Sequence, residues 1–185
     1  MHLQQVYAMQ LYYNTAIEDG VNEDAIAFGA EVNRILRRKG GWDQWGITFV
    51  PVYPDESGAS ALRKRLSRYV TVQLCSNNTI AKFGAEFEGM SVADCYHKLI
   101  RINLDRWRTG PKPPTSTMPL QDYRQYVILH EVGHILSQCS PLHHQTQCAP
   151  DGRAPVMMQQ TNGVGNCAWN PWPVPGVDDT EVRQW

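Results

Sequence analysis

The alternation of hydrophobic and polar positions predicts a sheet in the first half of the chain. Segments 5–15, 47–53, 69–74 and 99–104 alternate with a period of about two and are rich in branched and aromatic residues, which is typical of strands. We therefore expect these four segments to form one twisted, mixed sheet.

A helix is predicted between the first two strands. Asn22 is its candidate cap, acidic residues follow in the first turn, and basic residues precede the stop at Gly40. Its apolar positions recur at helical spacing and form the face expected to back the sheet: Ala25, Phe28, Val32 and Ile35.

A second helix is predicted from about Pro119 to about Gln138, after a proline-rich loop. Proline is favoured at a first helical position, and Ile128, Val132 and Ile135 recur at spacings of four and three. The chain beyond this helix is rich in proline and lacks periodicity, so we expect an ordered tail that wraps the domain.

Length and composition indicate a single α+β domain over residues 1–185. The sheet is expected in residues 1–115, and the second helix and the tail in residues 116–185. Seventeen basic and 18 acidic residues leave a net charge of -1, which gives no general attraction to nucleic acid. No apolar run is long enough for a membrane span, and residues 1–15 are too polar to form the core of a signal peptide.

The second helix contains the candidate chemistry. His130, Glu131 and His134 match the H-E-x-x-H pattern of zinc peptidases. Residues four apart lie on one face of a helix, so both imidazoles can bind one Zn²⁺ ion, and the adjacent Glu131 can act as the general base. The alternative is a chance string on an ordinary amphipathic helix.

Catalytic zinc usually takes a third protein ligand, for which His143 and His144 are candidates. The long metzincin pattern places glycine and histidine where this chain has Ser137 and Ser140. A short loop could return either histidine to the metal, and we favour His144 over His143. Cys139 is a further, weaker candidate as a thiolate ligand.

Several segments resemble an uncharacterised zincin-like domain family found mainly in actinobacteria, whose members look like compact metzincins. The resemblance covers most of the chain and rests on INLDRW at 102–107, YRQYV at 123–127 before the histidine motif, APVMMQQT at 154–161 and NPWP at 170–173.

The resemblance implies a metzincin-like fold in which a methionine turn forms an apolar floor beneath the zinc histidines, with Met157 as the floor residue. It also implies that Cys75 pairs with Cys95 and Cys148 with Cys167, leaving Cys139 free. Similar proteins usually carry an export signal or a membrane anchor, so the resemblance favours a secreted or cell-envelope location.

The expected function is therefore that of a zinc metallopeptidase acting on a peptide or protein, with Glu131 as the base. One alternative is a non-catalytic binding or structural protein, in which zinc is enclosed by four ligands: His130, His134, His143 and either His144 or Cys139. Another is a component of a larger assembly.

Overall fold

The computed structural model describes residues 9–53, 68–111, 118–139 and 144–181. Within these ranges the chain forms one mixed sheet of five strands. The strands are β1 (Met9–Ile17), β2 (Ile47–Pro51), β3 (Tyr69–Cys75), β4 (Val92–Asp94) and β5 (Leu99–Asn103).

The spatial order of the strands is β2-β1-β3-β5-β4. All neighbouring strands are parallel except β4, which runs antiparallel to β5 at one edge of the sheet. The four predicted strands are confirmed, although residues 5–8 of the first lie outside the described residues, and the α+β class is confirmed as well. Strand β4 was not predicted because three residues are too few to show an alternation.

In the part of the chain that the structure describes, four α-helices accompany the sheet: α1 (Ala25–Arg37), α2 (Asn77–Ala81), α3 (Leu104–Thr109) and α4 (Leu120–Leu136). The cap of α1 is Asp24, not Asn22, because the Asp24 carboxylate accepts hydrogen bonds from the amides of Ile26 and Ala27 at 2.8 and 3.1 Å. Ala25 is exposed, and the buried face of α1 is formed by Phe28, Val32, Ile35 and Leu36.

The core lies where α1 and α4 pack against each other and against the sheet. A single-turn 3₁₀ helix at Trp42–Trp45 closes one side of this core. Trp42 is fully buried, and its indole N–H donates to the carbonyl oxygen of Leu129 at 2.9 Å. The indole therefore ties the segment after α1 to the middle of α4.

The described tail, residues 144–181, contains two short 3₁₀ helices, at Gln160–Asn162 and Asp178–Glu181, and otherwise irregular chain. This agrees with the expected ordered loop. Among the described residues, no helix has the length and apolar character needed to cross a membrane.

One of the two expected disulfides is wrong. Cys148 does pair with Cys167, but Cys95 pairs with Cys139, and Cys75 is the free, buried thiol. Cys75 ends the central strand β3, whereas Cys95 follows the edge strand β4, and β5 lies between those strands. Two strand spacings are roughly 10 Å, beyond the ~7 Å that a disulfide allows between Cα atoms. The two bridges indicate an oxidising, extracellular setting.

We predict that Cys75 is the one cysteine that alkylates only after unfolding. Burial raises the pKa of its thiol to about 12, so little reactive thiolate forms at pH 8. Iodoacetamide should leave the native protein unmodified and add one group in guanidinium chloride, with peptide mapping placing it on Cys75. Labelling of Cys139 instead would contradict the Cys95–Cys139 bridge.

Candidate metal centre

Helix α4 places two histidines of the motif side by side. It is buried around most of its circumference, and only 1% of His130 and 4% of Glu131 is exposed. The Nε2 atoms of His130 and His134 lie 3.2 Å apart, and the centroids of the two rings are separated by 4.8 Å. The four-residue spacing therefore directs both nitrogens to one point, as predicted.

The third histidine of this cluster is His144. Its ring stacks parallel to that of His130 and stands at 82° to that of His134, with centroid distances of 5.6 and 5.1 Å. The possible ligand atoms of the three histidines all lie within 4.8 Å of one another. His143 lies outside the described residues.

The chain leaves the helical path directly after α4. Gln138 and Cys139 both have positive φ angles, 59° and 49°, a conformation that ends a right-handed helix. The amide of Cys139 donates to the carbonyl oxygen of His134 at 2.8 Å. The Cys139 sulfur is bonded to Cys95, so the alternative of a Cys139 thiolate ligand is wrong.

The cluster fits a metal ion. Two nitrogens bound tetrahedrally to one zinc ion are about 3.3 Å apart, close to the 3.2 Å between the two helical histidines. Three imidazoles also suit cobalt, nickel and copper, so the donor set does not identify the metal. His144 is exposed and His134 partly so, which places the cluster at the protein surface.

A backbone carbonyl holds the imidazole of His130. The Nδ1 atom lies 2.8 Å from the carbonyl oxygen of Val156, and because a carbonyl can only accept, Nδ1 carries the hydrogen. Burial lowers the pKa of His130 to about 4, so the ring is neutral at physiological pH. Its Nε2 lone pair is thus available on the side of the cluster.

The turn that contains Val156 packs tightly beneath α4. The amide of Met158 donates to the carbonyl oxygen of Pro155 at 3.0 Å, and Met157 is completely buried. A Cβ atom at Gly133 would overlap the Met157 sulfur and lie only 2.9 Å from the Trp42 ring. The close approach of the turn to the helix therefore requires glycine at position 133.

Glu131 faces a cavity beside the histidines. Burial raises the pKa of its carboxyl to about 8, although a hydrogen bond from the backbone amide of Ala93 acts in the opposite direction. The cavity has a volume of about 270 Å³, and its lining includes Glu131, His134, His144, Phe87 and Met90. An acid–base group and the histidine cluster thus share one open space.

A set of buried polar side chains in the tail was not predicted from the sequence. Asp178, Gln160 and Asn170 are buried and hydrogen-bonded to backbone groups of the Val156 turn or its neighbours. Single polar residues in a segment without periodicity carry no signal, so their contacts could not be anticipated.

Comparison with known proteins gives a family and nothing about activity. A family model described as "Protein of unknown function (DUF3152)" matches residues 3–171. The chain belongs to the DUF3152 family. The matched region of this DUF3152 protein includes the three histidines and Glu131, but not Asp178. Searches among curated proteins and among solved structures each found no match.

We predict that Glu131→Gln stabilises the metal-free DUF3152 protein at high pH. The unfolded carboxyl ionises near its ordinary pKa of 4.5, whereas the folded one stays protonated until about pH 8. Between these values the unfolded state loses a proton and the folded state does not, so wild-type stability falls as the pH rises. Glu131→Gln has no carboxyl at this position, so its stability does not fall with pH for this reason.

Urea unfolding in EDTA at pH 5 and pH 8 measures the difference. Relative to wild type, the free energy of unfolding of Glu131→Gln should rise by a few kcal/mol between the two pH values, since one pKa unit is about 1.4 kcal/mol. If the variant and wild type differ in free energy of unfolding by the same amount at pH 5 and pH 8, Glu131 is ionised in the folded protein at neutral pH.

Proposed function

We propose that this protein is a zinc-dependent peptidase of the zincin class. The observation that carries the proposal is that a buried carboxyl, Glu131, opens onto the same cavity as His134 and His144. A metal that served only to stabilise the fold would not need an acid–base group at that place. The substrate is a peptide or protein segment that enters this cavity.

In this proposal, His130, His134 and His144 hold the zinc ion. When bound, zinc would polarise the scissile carbonyl and increase the acidity of a water molecule. Glu131 would take the proton from the attacking water and pass it to the departing amine. The ionised form of Glu131 is the one that accepts a proton, and the positive charge of a nearby zinc ion would favour that form.

The packing of Met157 supports a metzincin-like arrangement. Its side chain lies against the helix at Gly133, between the two zinc-binding histidines in sequence, where the resemblance implies an apolar floor. The return of His144 after a turn at residues 138 and 139 supports a third ligand supplied by a loop. The two disulfides support secretion or display at the cell envelope.

We predict about one bound zinc per chain, lost in His130→Ala and His144→Ala. Each substitution removes one of three ligands, and three histidines are needed for tight binding. Plasma mass spectrometry after zinc loading and desalting measures the content. His97→Ala is the matched control, because His97 is exposed and pairs with Asp94 rather than with the cluster. Full zinc content in His144→Ala would show that His144 is not a zinc ligand.

We predict that Glu131→Gln retains zinc but loses peptide hydrolysis by roughly 10²- to 10⁴-fold, the usual contribution of a general base. A library of internally quenched peptides measures cleavage by the zinc-loaded protein, with a chelator added as the negative control. Glu23→Gln should remain as active as wild type, since Glu23 pairs with Arg108 at the surface. Equal rates for Glu131→Gln and wild type would overturn the proposed role.

A further inference from the structure

A buried carboxylate in the tail lies behind the turn that holds His130. Asp178 has no exposed surface, and it belongs to the 3₁₀ helix at Asp178–Glu181 near the end of the described chain. It lies 48 residues beyond His130 in sequence. Nevertheless, only one peptide group separates its carboxylate from the His130 ring.

Among the described residues, three backbone amides donate hydrogen bonds to the carboxylate of Asp178. Its Oδ2 atom accepts from the amides of Val174, at 2.7 Å, and Val156, at 3.2 Å. Its Oδ1 atom accepts from the amide of Met157 at 3.3 Å. Two of these three donors belong to the turn beneath α4, and the third belongs to the tail, so the carboxylate joins the tail to the turn.

The Met157 amide and the Val156 carbonyl are the two ends of a single planar peptide group. The N–H end points to Asp178, and the C=O end accepts from Nδ1 of His130 at 2.8 Å. Asp178 and His130 therefore lie at opposite edges of one peptide group. Fixing the N–H end against a carboxylate fixes the direction of the carbonyl, and it also polarises the carbonyl as an acceptor.

We propose that Asp178 is a positioning residue for the metal centre, acting through the Val156–Met157 peptide group to set the ring orientation and tautomer of His130. It does not contact the metal or a substrate. The Val156 carbonyl is the group that holds the far nitrogen of His130, and loss of such a partner typically changes metal affinity 10- to 100-fold; Asp178 acts on this carbonyl through one peptide group. The inference rests on the proposed metal site but not on peptide hydrolysis.

The substitution Asp178→Asn tests this role because it keeps the shape of the side chain. An amide has one acceptor oxygen and one donor nitrogen. Whichever of the two carboxylate positions the amide NH₂ group takes, it faces at least one backbone N–H, of the turn or of Val174. Two donors then face each other, and that hydrogen bond is lost. The turn then loses part of its attachment, while the contacts of α4 with the sheet are not altered directly.

Asp179→Asn is the matched control. Asp179 is the next residue, it is exposed, and its carboxylate accepts from the indole of Trp45 and the amide of Gly176. The same substitution there removes a charge and tail contacts without touching the Val156 turn. An effect confined to position 178 therefore cannot come from net charge or from general loosening of the tail.

The first measurement is the zinc Kd of wild type and both variants by competition with a chromophoric chelator, together with the visible spectrum after Co²⁺ loading. We expect the Kd of Asp178→Asn to rise roughly 10- to 100-fold and its cobalt spectrum to change. Asp179→Asn should match wild type in both. An Asp178→Asn variant that is less stable to urea but has wild-type Kd and spectrum would overturn the proposal, because its role would then be structural only.

The second measurement needs no metal, and its first part needs no variant. Long-range ¹H–¹⁵N spectra of the metal-free wild type should show His130 as a single tautomer with the hydrogen on Nδ1. Exchange between tautomers would overturn the proposal. If wild type binds no metal, the proposed function fails, and the His130 tautomer in metal-free Asp178→Asn decides the positioning role separately: a mixture supports it, and an unchanged single tautomer overturns it.

Discussion

The burial of α4 is the constraint on which the other features of the molecule depend. A helix with nearly all of its circumference inside the protein must hold two polar side chains, His130 and Glu131, in a medium of low dielectric constant. Each buried polar group then needs a partner. His130 finds the Val156 carbonyl and Glu131 the Ala93 amide. Both partners are backbone groups, so neither adds a competing charge to the cluster.

Backbone partners can reach α4 only if their segments approach it closely. On one side of α4, the Val156 turn comes close to the helix. This close approach is possible because Gly133 has no side chain. On the other side it is made by the edge strand β4, whose Ala93 lies against Glu131. The edge position leaves β4 paired with β5 alone within the described sheet, and the cavity opens along it.

The features of this structure that depend only on neighbouring residues in the sequence could be predicted. The spacing of His130 and His134 follows from helix geometry, and the structure shows it. The predicted helix is present as α4, but its burial extends well beyond the expected stripe of Ile128, Val132 and Ile135. The third histidine of the cluster could be narrowed only to His143 or His144, because the path of a loop after a helix is not periodic. The predicted disulfide partner of Cys95 was wrong. Which cysteines can form a disulfide depends on the order of the strands, and strand order is a property of the whole sheet. Asp178 was missed for a related reason: its partners are backbone amides that the tail meets only after folding.

The placement of the two bridges has a consequence for how the molecule responds to a thiol-rich environment. Cys95–Cys139 and Cys148–Cys167 enclose sequential segments, and both lie after residue 94. Strands β1, β2 and β3, together with α1, are held by non-covalent packing alone. A cross-link acts mainly by limiting the freedom of the segment it closes. Reductants would therefore act directly only on the segments that carry β5, α4 and Met157, so the surroundings of the histidine cluster would lose their order before the part of the sheet formed by β1, β2 and β3.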